Sequence, residues 1–201
     1  MLRFANTLLL SSFVFASCSL SAQDLPQPYA SIHTVHLVPS YFDNRFQVLD
    51  RLKATSAKIF IDVGSHEGSA ARMVAQYTTD IQIYNVCIWQ SCDLSIKYQY
   101  QKFLSNVILE KAANRITPIR MTSQDGAKAL NVIADVIYLN GIDTSLSTEI
   151  LAWSAHLTPT GSICGHNWME STVQNAVISA ANKLDLAVHV DGDFWYLDRG
   201  N

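Results

Sequence analysis

Cysteine is scarce in this chain: four in 201 residues, at positions 18, 87, 92 and 164. So few cannot make a disulfide scaffold. No two of them stand two to four residues apart with histidines to match, which argues against a structural zinc site. Cys87 and Cys92 are close enough in sequence to bridge if the chain turns between them. Positive charge is also in short supply, 14 basic residues against 17 acidic ones, and a mildly acidic surface argues against nucleic acid as the main partner. Beyond the leader, no apolar run approaches the roughly 20 residues that a membrane-spanning helix needs. Internal repeats and low-complexity tracts are absent. Proline is nearly confined to one place, with three of the five in residues 23–42.

What is present is a chain 49% hydrophobic, long enough to bury one substantial core and too short for two comfortable ones. The first 22 residues are a separate object. Arg3 gives a positive start, L-L-L-S-S-F-V-F-A an apolar centre and residues 17–22 a small-residue end, the form of a secretory signal peptide cleaved after Ala22. The alternative is a loose lipoprotein box, F-A-S-C, which would keep and lipidate Cys18. Either form implies export. Without the leader the chain carries 13 basic and 17 acidic residues, a formal charge of −4. Residues 23–43 read as an extended arm, with His33 and His36 in a loop, and residues 44–201 as the domain.

Within the domain the hydrophobic pattern switches repeatedly between periods of about 3.6 and runs of strand length. Helices are predicted at 44–58, 69–77, 95–113, 124–132, 147–157 and 170–184, and strands at 59–63, 81–88, 115–121, 135–139, 162–165, 187–190 and 194–197. Such βαβ alternation requires right-handed crossovers, which build a mostly parallel sheet with helices on both faces. The final strand–turn–strand, around Asp191-Gly192-Asp193, adds an antiparallel strand.

In such a sheet, ligands lie beyond the carboxyl ends of the strands. The first strand ends in K-I-F-I-D-V-G-S-H-E-G-S, residues 58–69. Gly64 can make a tight turn and admit a ligand to the backbone, Gly68 removes a side chain where helix meets strand, and Ser69 can cap or start the helix. A third glycine, needed for a dinucleotide fingerprint, is missing, so a smaller cofactor than a dinucleotide is expected. A plain structural turn would use the same two glycines.

D-V-G-S-H-E-G-S-A resembles the first motif of class I S-adenosylmethionine (SAM)-dependent methyltransferases. Y-N-V-C-I-W-Q (84–90), F-L-S-N-V (103–107), R-I-T-P-I-R-M-T-S (115–123), D-V-I-Y-L-N-G (135–141) and G-S-I-C-G-H-N-W (161–168) resemble later blocks of one branch, the small bacterial domains described as "methyltransferase-like, 24", in the same order. The resemblance spans about residues 45–198. It implies a Rossmann-like, seven-stranded α/β sheet, SAM as cofactor and methyl transfer to a small-molecule acceptor, in a protein that the leader marks for export. It also assigns cofactor contacts to Asp62, Gly64, Ser65, His66, Gly68, Cys87 and Asn140. Gln124 and Asp125 stand where the superfamily often meets the adenine, although S-Q-D is also an ordinary helix start, with Ser123 as its cap. Asp143 and His166 are the titratable candidates for a general base.

Three positions depart from the family pattern. Where the second strand of the family ends in an acid that grips the cofactor ribose stands Cys87, and a neutral thiol is a weak donor and a poor acceptor. Asn140 and Asn167 replace acids that the family commonly carries after the fourth and fifth strands. Hard divalent cations prefer anionic oxygen, so no metal is expected. These departures keep a second function open, that of a catalytically degenerate member serving as a binding or surface module. The four tryptophans, Trp89, Trp153, Trp168 and Trp195, read as core or rim packing.

Overall fold

A computed structural model covers the chain, and its described residues are 25–32, 42–89, 99–141 and 145–200. The leader with Cys18, most of the arm with His33 and His36, Cys92 and Asp143 lie outside them. Seven strands, β1 (Ile59–Val63), β2 (Gln82–Val86), β3 (Ile116–Ile119), β4 (Ala134–Leu139), β5 (Leu157–Gly165), β6 (Ala187–Asp191) and β7 (Phe194–Asp198), form one sheet in the order β3-β2-β1-β4-β5-β7-β6. β7 is antiparallel to both its neighbours, inserted between β5 and β6, while β1 to β5 pair in parallel.

Among the described residues, six α-helices cover the two faces. α1 (Arg45–Ala54), α2 (Ser69–Tyr77) and α3 (Gln99–Leu109) pack on one side around Phe60, Ile83 and Tyr138. α4 (Ser123–Ala129), α5 (Leu146–Ser154) and α6 (Ser171–Leu184) pack on the other around Ile61, Ile137 and Trp153. Successive strand residues point to opposite faces, so I-F-I-D-V fills both cores at once and must be apolar nearly throughout. Each fully buried Phe or Ile side chain contributes about 1.5–3 kcal/mol. Trp153 and Trp195 are core residues, as is Trp89.

Some boundaries differ from the sequence-based expectation. β2 stops at Val86, leaving Cys87 and Ile88 in the outgoing loop. α3 ends at Leu109, because Lys111 takes the left-handed φ of 57° and breaks the helix. The helix predicted at 147–157 ends at Ser154, and T-P-T-G (158–161), which the sequence leaves between that helix and the strand at 162–165, lies inside β5. Between the pairs Ala134–Leu157 and Val136–Ser162 the chain advances two residues on β4 and five on β5, so the segment bulges out of the ladder, where Pro159 needs no hydrogen-bond partner.

Ahead of α1, a single 3-10 turn, Tyr29–Ser31, is fastened to the domain. The hydroxyl of Tyr29 is buried and donates to the carbonyl of Ile116 at 2.6 Å, across 87 positions of sequence.

Candidate active site

The strand order reverses direction at β1, with β2 on one side and β4 on the other, and that switch point is where an open α/β sheet takes its ligand. Gly64 stands there with φ 85°, a left-handed turn that favours glycine. Its amide donates to Val86 O at 2.8 Å, the last residue of β2, and its carbonyl accepts from Asn140 Nδ2 at 3.2 Å, the first residue past β4. Three strand ends therefore meet on one glycine.

Below the turn, Asp62 is fully buried. Its carboxylate accepts from the Ser65 hydroxyl, from Ala71 N at 2.9 Å and from Asn85 Nδ2 at 2.8 Å. Ser65 lies in the loop, Ala71 in the first turn of α2 and Asn85 on β2, so one carboxylate ties the loop to a helix start and a neighbouring strand. Burial pushes its pKa up to about 7, against the pull of these three donors. Asn85 Oδ1, buried beside it, has no partner among the described residues.

Gly68 closes the loop with φ 72° and precedes α2 as its N-cap. The sequence suggested a helix meeting a strand here. Instead, the glycine makes room for the Phe103 ring of α3, which a Cβ would approach to 2.5 Å. Phe103 in turn lies against Trp89, with ring centres 4.9 Å apart. Trp89, at φ 44°, turns its indole back so that Nε1 donates to His66 O. His66 itself is exposed, its Nδ1 3.1 Å from Gln99 Oε1.

Each departure from the family's acids has a local physical reason. Asn140 donates to a backbone carbonyl, which a carboxylate cannot do. Asn167 adopts φ 62°, a left-handed conformation that Asn tolerates better than most residues. Cys87 is buried within the core that includes Trp89 and Phe103, and burial holds its thiol above the ordinary range and neutral. Cys87 thus brings no carboxylate to the position that the resemblance gives to a ribose-gripping acid. Among the described residues no group of three His, Cys, Asp or Glu is placed to hold a metal ion.

The helix that carries Gln124 and Asp125 is capped one residue earlier than expected. Thr122, rather than Ser123, is the N-cap: its Oγ1 accepts from Asp125 N at 3.1 Å and donates to Asp125 Oδ2 at 2.7 Å. Ser123 Oγ instead accepts from Trp153 Nε1 at 3.0 Å. Both Gln124 and Asp125 are exposed. Thr122→Ala is expected to lower stability by about 1 kcal/mol and to leave ligand affinity unchanged, measured by urea denaturation beside calorimetric titration.

At the carboxyl end of β5, His166 is joined to a residue that the sequence gave little reason to choose. Its Nδ1 lies 2.7 Å from the Tyr138 hydroxyl, with the two rings parallel to within 3°. Tyr138 is buried and its pKa is pushed far up, mainly by that burial, so it keeps its proton. The bond has two forms: the hydroxyl donates to Nδ1 with the imidazole proton on Nε2, or Nδ1–H donates to the hydroxyl and leaves Nε2 as an acceptor. Burial also holds the His166 pKa below its usual value, opposed by Asp193 and Asp43. Asp193 anchors the same corner by accepting from Asn167 N and Met169 N, both at 3.1 Å. The only advance sign of Tyr138 was its position two residues before Asn140, on a strand leading to the crevice.

No protein-family model and no curated protein matches the chain. Solved structures do match it. The O-methyltransferase TomG from Streptomyces achromogenes, solved in complex with SAM, superposes with a TM-score of 0.60 at 12% identity over 82% of each chain. A precorrin-6y C5,15-methyltransferase from Geobacter metallireducens gives 0.63 at 13% identity, over 81% of this chain and 91% of that one. A candidate caffeoyl-CoA O-methyltransferase from Staphylococcus aureus gives 0.63 at 12% identity, over 89% and 92%. The chain has the class I methyltransferase fold. Its seven-stranded order and its glycine turn after β1 are the features on which that statement rests.

Proposed function

We propose that this protein is an exported, SAM-binding methyltransferase that transfers the methyl group to a small acceptor at the carboxyl ends of β4 and β5. The observation that carries this reading is the glycine turn at the switch point, held by Asp62 from below and by Asn140 from the side. SAM would supply an electrophilic methyl group. Gly64, Ser65 and the rest of the turn would hold its amino acid end, and Gln124 and Asp125 would meet its adenine. Methyl transfer asks mainly for alignment of acceptor and donor, so sparse acid–base equipment is compatible with it. Export follows from the leader alone, and the acceptor is a small molecule by analogy with the neighbours in fold.

His166 enters this scheme as a hydrogen-bond donor that holds the acceptor through Nε2–H, in the tautomer whose Nδ1 accepts from the Tyr138 hydroxyl. His166→Gln, which can keep a donor, is expected to retain transfer within about threefold, and His166→Ala to lose at least about tenfold. A general base would be worth about 10²–10⁴ in rate, so equally deep losses in both variants would identify His166 as a base instead.

Cys87 supports a second reading, a binding module that has lost catalysis, since a buried neutral thiol cannot replace a ribose-gripping carboxylate. Calorimetric titration of the purified chain with SAM and S-adenosylhomocysteine separates the readings from a misassigned ligand. Micromolar binding that vanishes in Gly64→Arg supports the cofactor; a folded sample silent to both ligands rejects it. Binding without methyl release over a panel of small acceptors would favour the module.

A further inference from the structure

At the end of the sheet opposite the glycine turn, α1, β5 and the β6–β7 hairpin enclose a cavity of about 500 Å³. Arg51 lies on its wall. The Arg51 side chain is only 22% exposed, and its guanidinium carbon sits 4.0 Å from the centre of the Tyr196 ring. The nearest carboxylate oxygen, Asp198 Oδ2, is 4.0 Å from Nη1, beyond hydrogen-bond reach. Asp198 is engaged elsewhere, its Oδ1 accepting from His189 Nε2 at 3.1 Å and from Gly200 N at 3.0 Å. His189 in turn stacks on Tyr196, with ring centres 4.4 Å apart and planes 9° from parallel. Tyr196 and its neighbours thus hold a mostly buried guanidinium flat while its five N–H groups meet no protein acceptor within bonding distance among the described residues. A guanidinium fixed in this way is pre-organised to grip two oxygens of one anion.

The rest of the wall suits the same ligand. Arg199 supplies a second cation, and Thr160 and Ser162 bring hydroxyls. Two arginines face one carboxylate, Asp198, which already accepts from His189 and Gly200; Asp50 lies along the neighbouring cavity on the other side of Arg51. A carboxylate ligand would engage the fork alone, whereas a phosphoryl group carries more charge and a third oxygen for Arg199 or the hydroxyls. The cavity also exceeds what a lone phosphate fills. We propose that this cavity binds the phosphoryl group of a small organic phosphate monoester, at a site remote from the glycine turn.

Titration of the full chain with phenyl phosphate and with inorganic phosphate, by calorimetry in a phosphate-free buffer, tests the proposal. Saturable binding of phenyl phosphate is expected, at least tenfold tighter than inorganic phosphate. Arg51→Lys, which keeps the charge and loses the fork, should weaken it at least tenfold, and Arg199→Ala by a smaller factor. Circular dichroism and the thermal midpoint establish that each variant is folded; should Arg51→Lys fail to fold, Arg199→Ala, on an exposed residue, carries the test alone. Equal affinity for both ligands would make free phosphate the occupant and overturn the assignment to an ester. No saturable binding, or binding indifferent to the folded variants, would overturn the site itself.

Discussion

Replacing Gly68 with alanine is expected to cost about 3 kcal/mol of stability and to abolish ligand binding at the glycine turn. Two independent penalties meet at this residue. At φ 72° an alanine pays about 1–2 kcal/mol that glycine does not. Its Cβ would also come within 2.5 and 2.6 Å of Cε2 and Cδ2 of Phe103, and overpacking of that kind typically costs 1–3 kcal/mol. Phe103 has little room to yield, because it packs against Trp89 and, stacked 6.5 Å away, Tyr100. Urea denaturation of Gly68→Ala and of the double variant Gly68→Ala with Phe103→Leu separates the two terms. The second substitution should relieve the steric share and leave the dihedral share. A single variant as stable as the parent would contradict the geometry of the whole turn.

Asp62→Ala is the second large effect, and its size should depend on pH in an unusual direction. At low pH the protonated carboxyl still serves the donors of Ser65, Ala71 and Asn85, and its removal strands buried groups worth about 1–3 kcal/mol each. The folded-state pKa is raised from 3.8 to about 7, with burial the largest cause. Between those values the folded protein holds a proton that the unfolded chain has released. By linkage, Asp62's contribution is full below about pH 4, falls as pH rises, and is exhausted by about pH 7, a span on the order of 4 kcal/mol. Denaturation at pH 4.5 and at pH 7.5 should therefore show a large loss in Asp62→Ala at the lower pH and a small one at the higher. The reverse order would mean that the three donors outweigh desolvation and keep the carboxylate ionised.

The parts of the site legible in sequence are those set by short-range rules. Asp62, Gly64 and Gly68 follow from an apolar strand, an acid and a spaced pair of glycines, and the βαβ alternation places them at a sheet edge. What the sequence concealed depends on contacts between distant segments. Asn140 reads as a lost acid until the register of β1 against β4 brings its amide to the Gly64 carbonyl, 76 positions away. The pairing of His166 with Tyr138, 28 positions earlier, is invisible until β4 and β5 lie side by side. Thr122 and Ser123 compete for one cap, and the choice falls to Thr122 because the Trp153 indole claims Ser123. T-P-T-G contains every cue for a stop; only the β4 ladder shows that a strand runs through it.

The bond from Tyr29 to Ile116 bears on how the chain assembles. It closes a loop that includes α1, β1, α2, β2 and α3, so its entropic cost is that of ordering more than a third of the domain. Contacts of such long range are met late in folding, after the β2–β3 edge already exists. The turn at residues 29–31 is therefore a closing latch rather than a nucleus: substitution of Tyr29 should quicken unfolding and leave the folding rate nearly untouched.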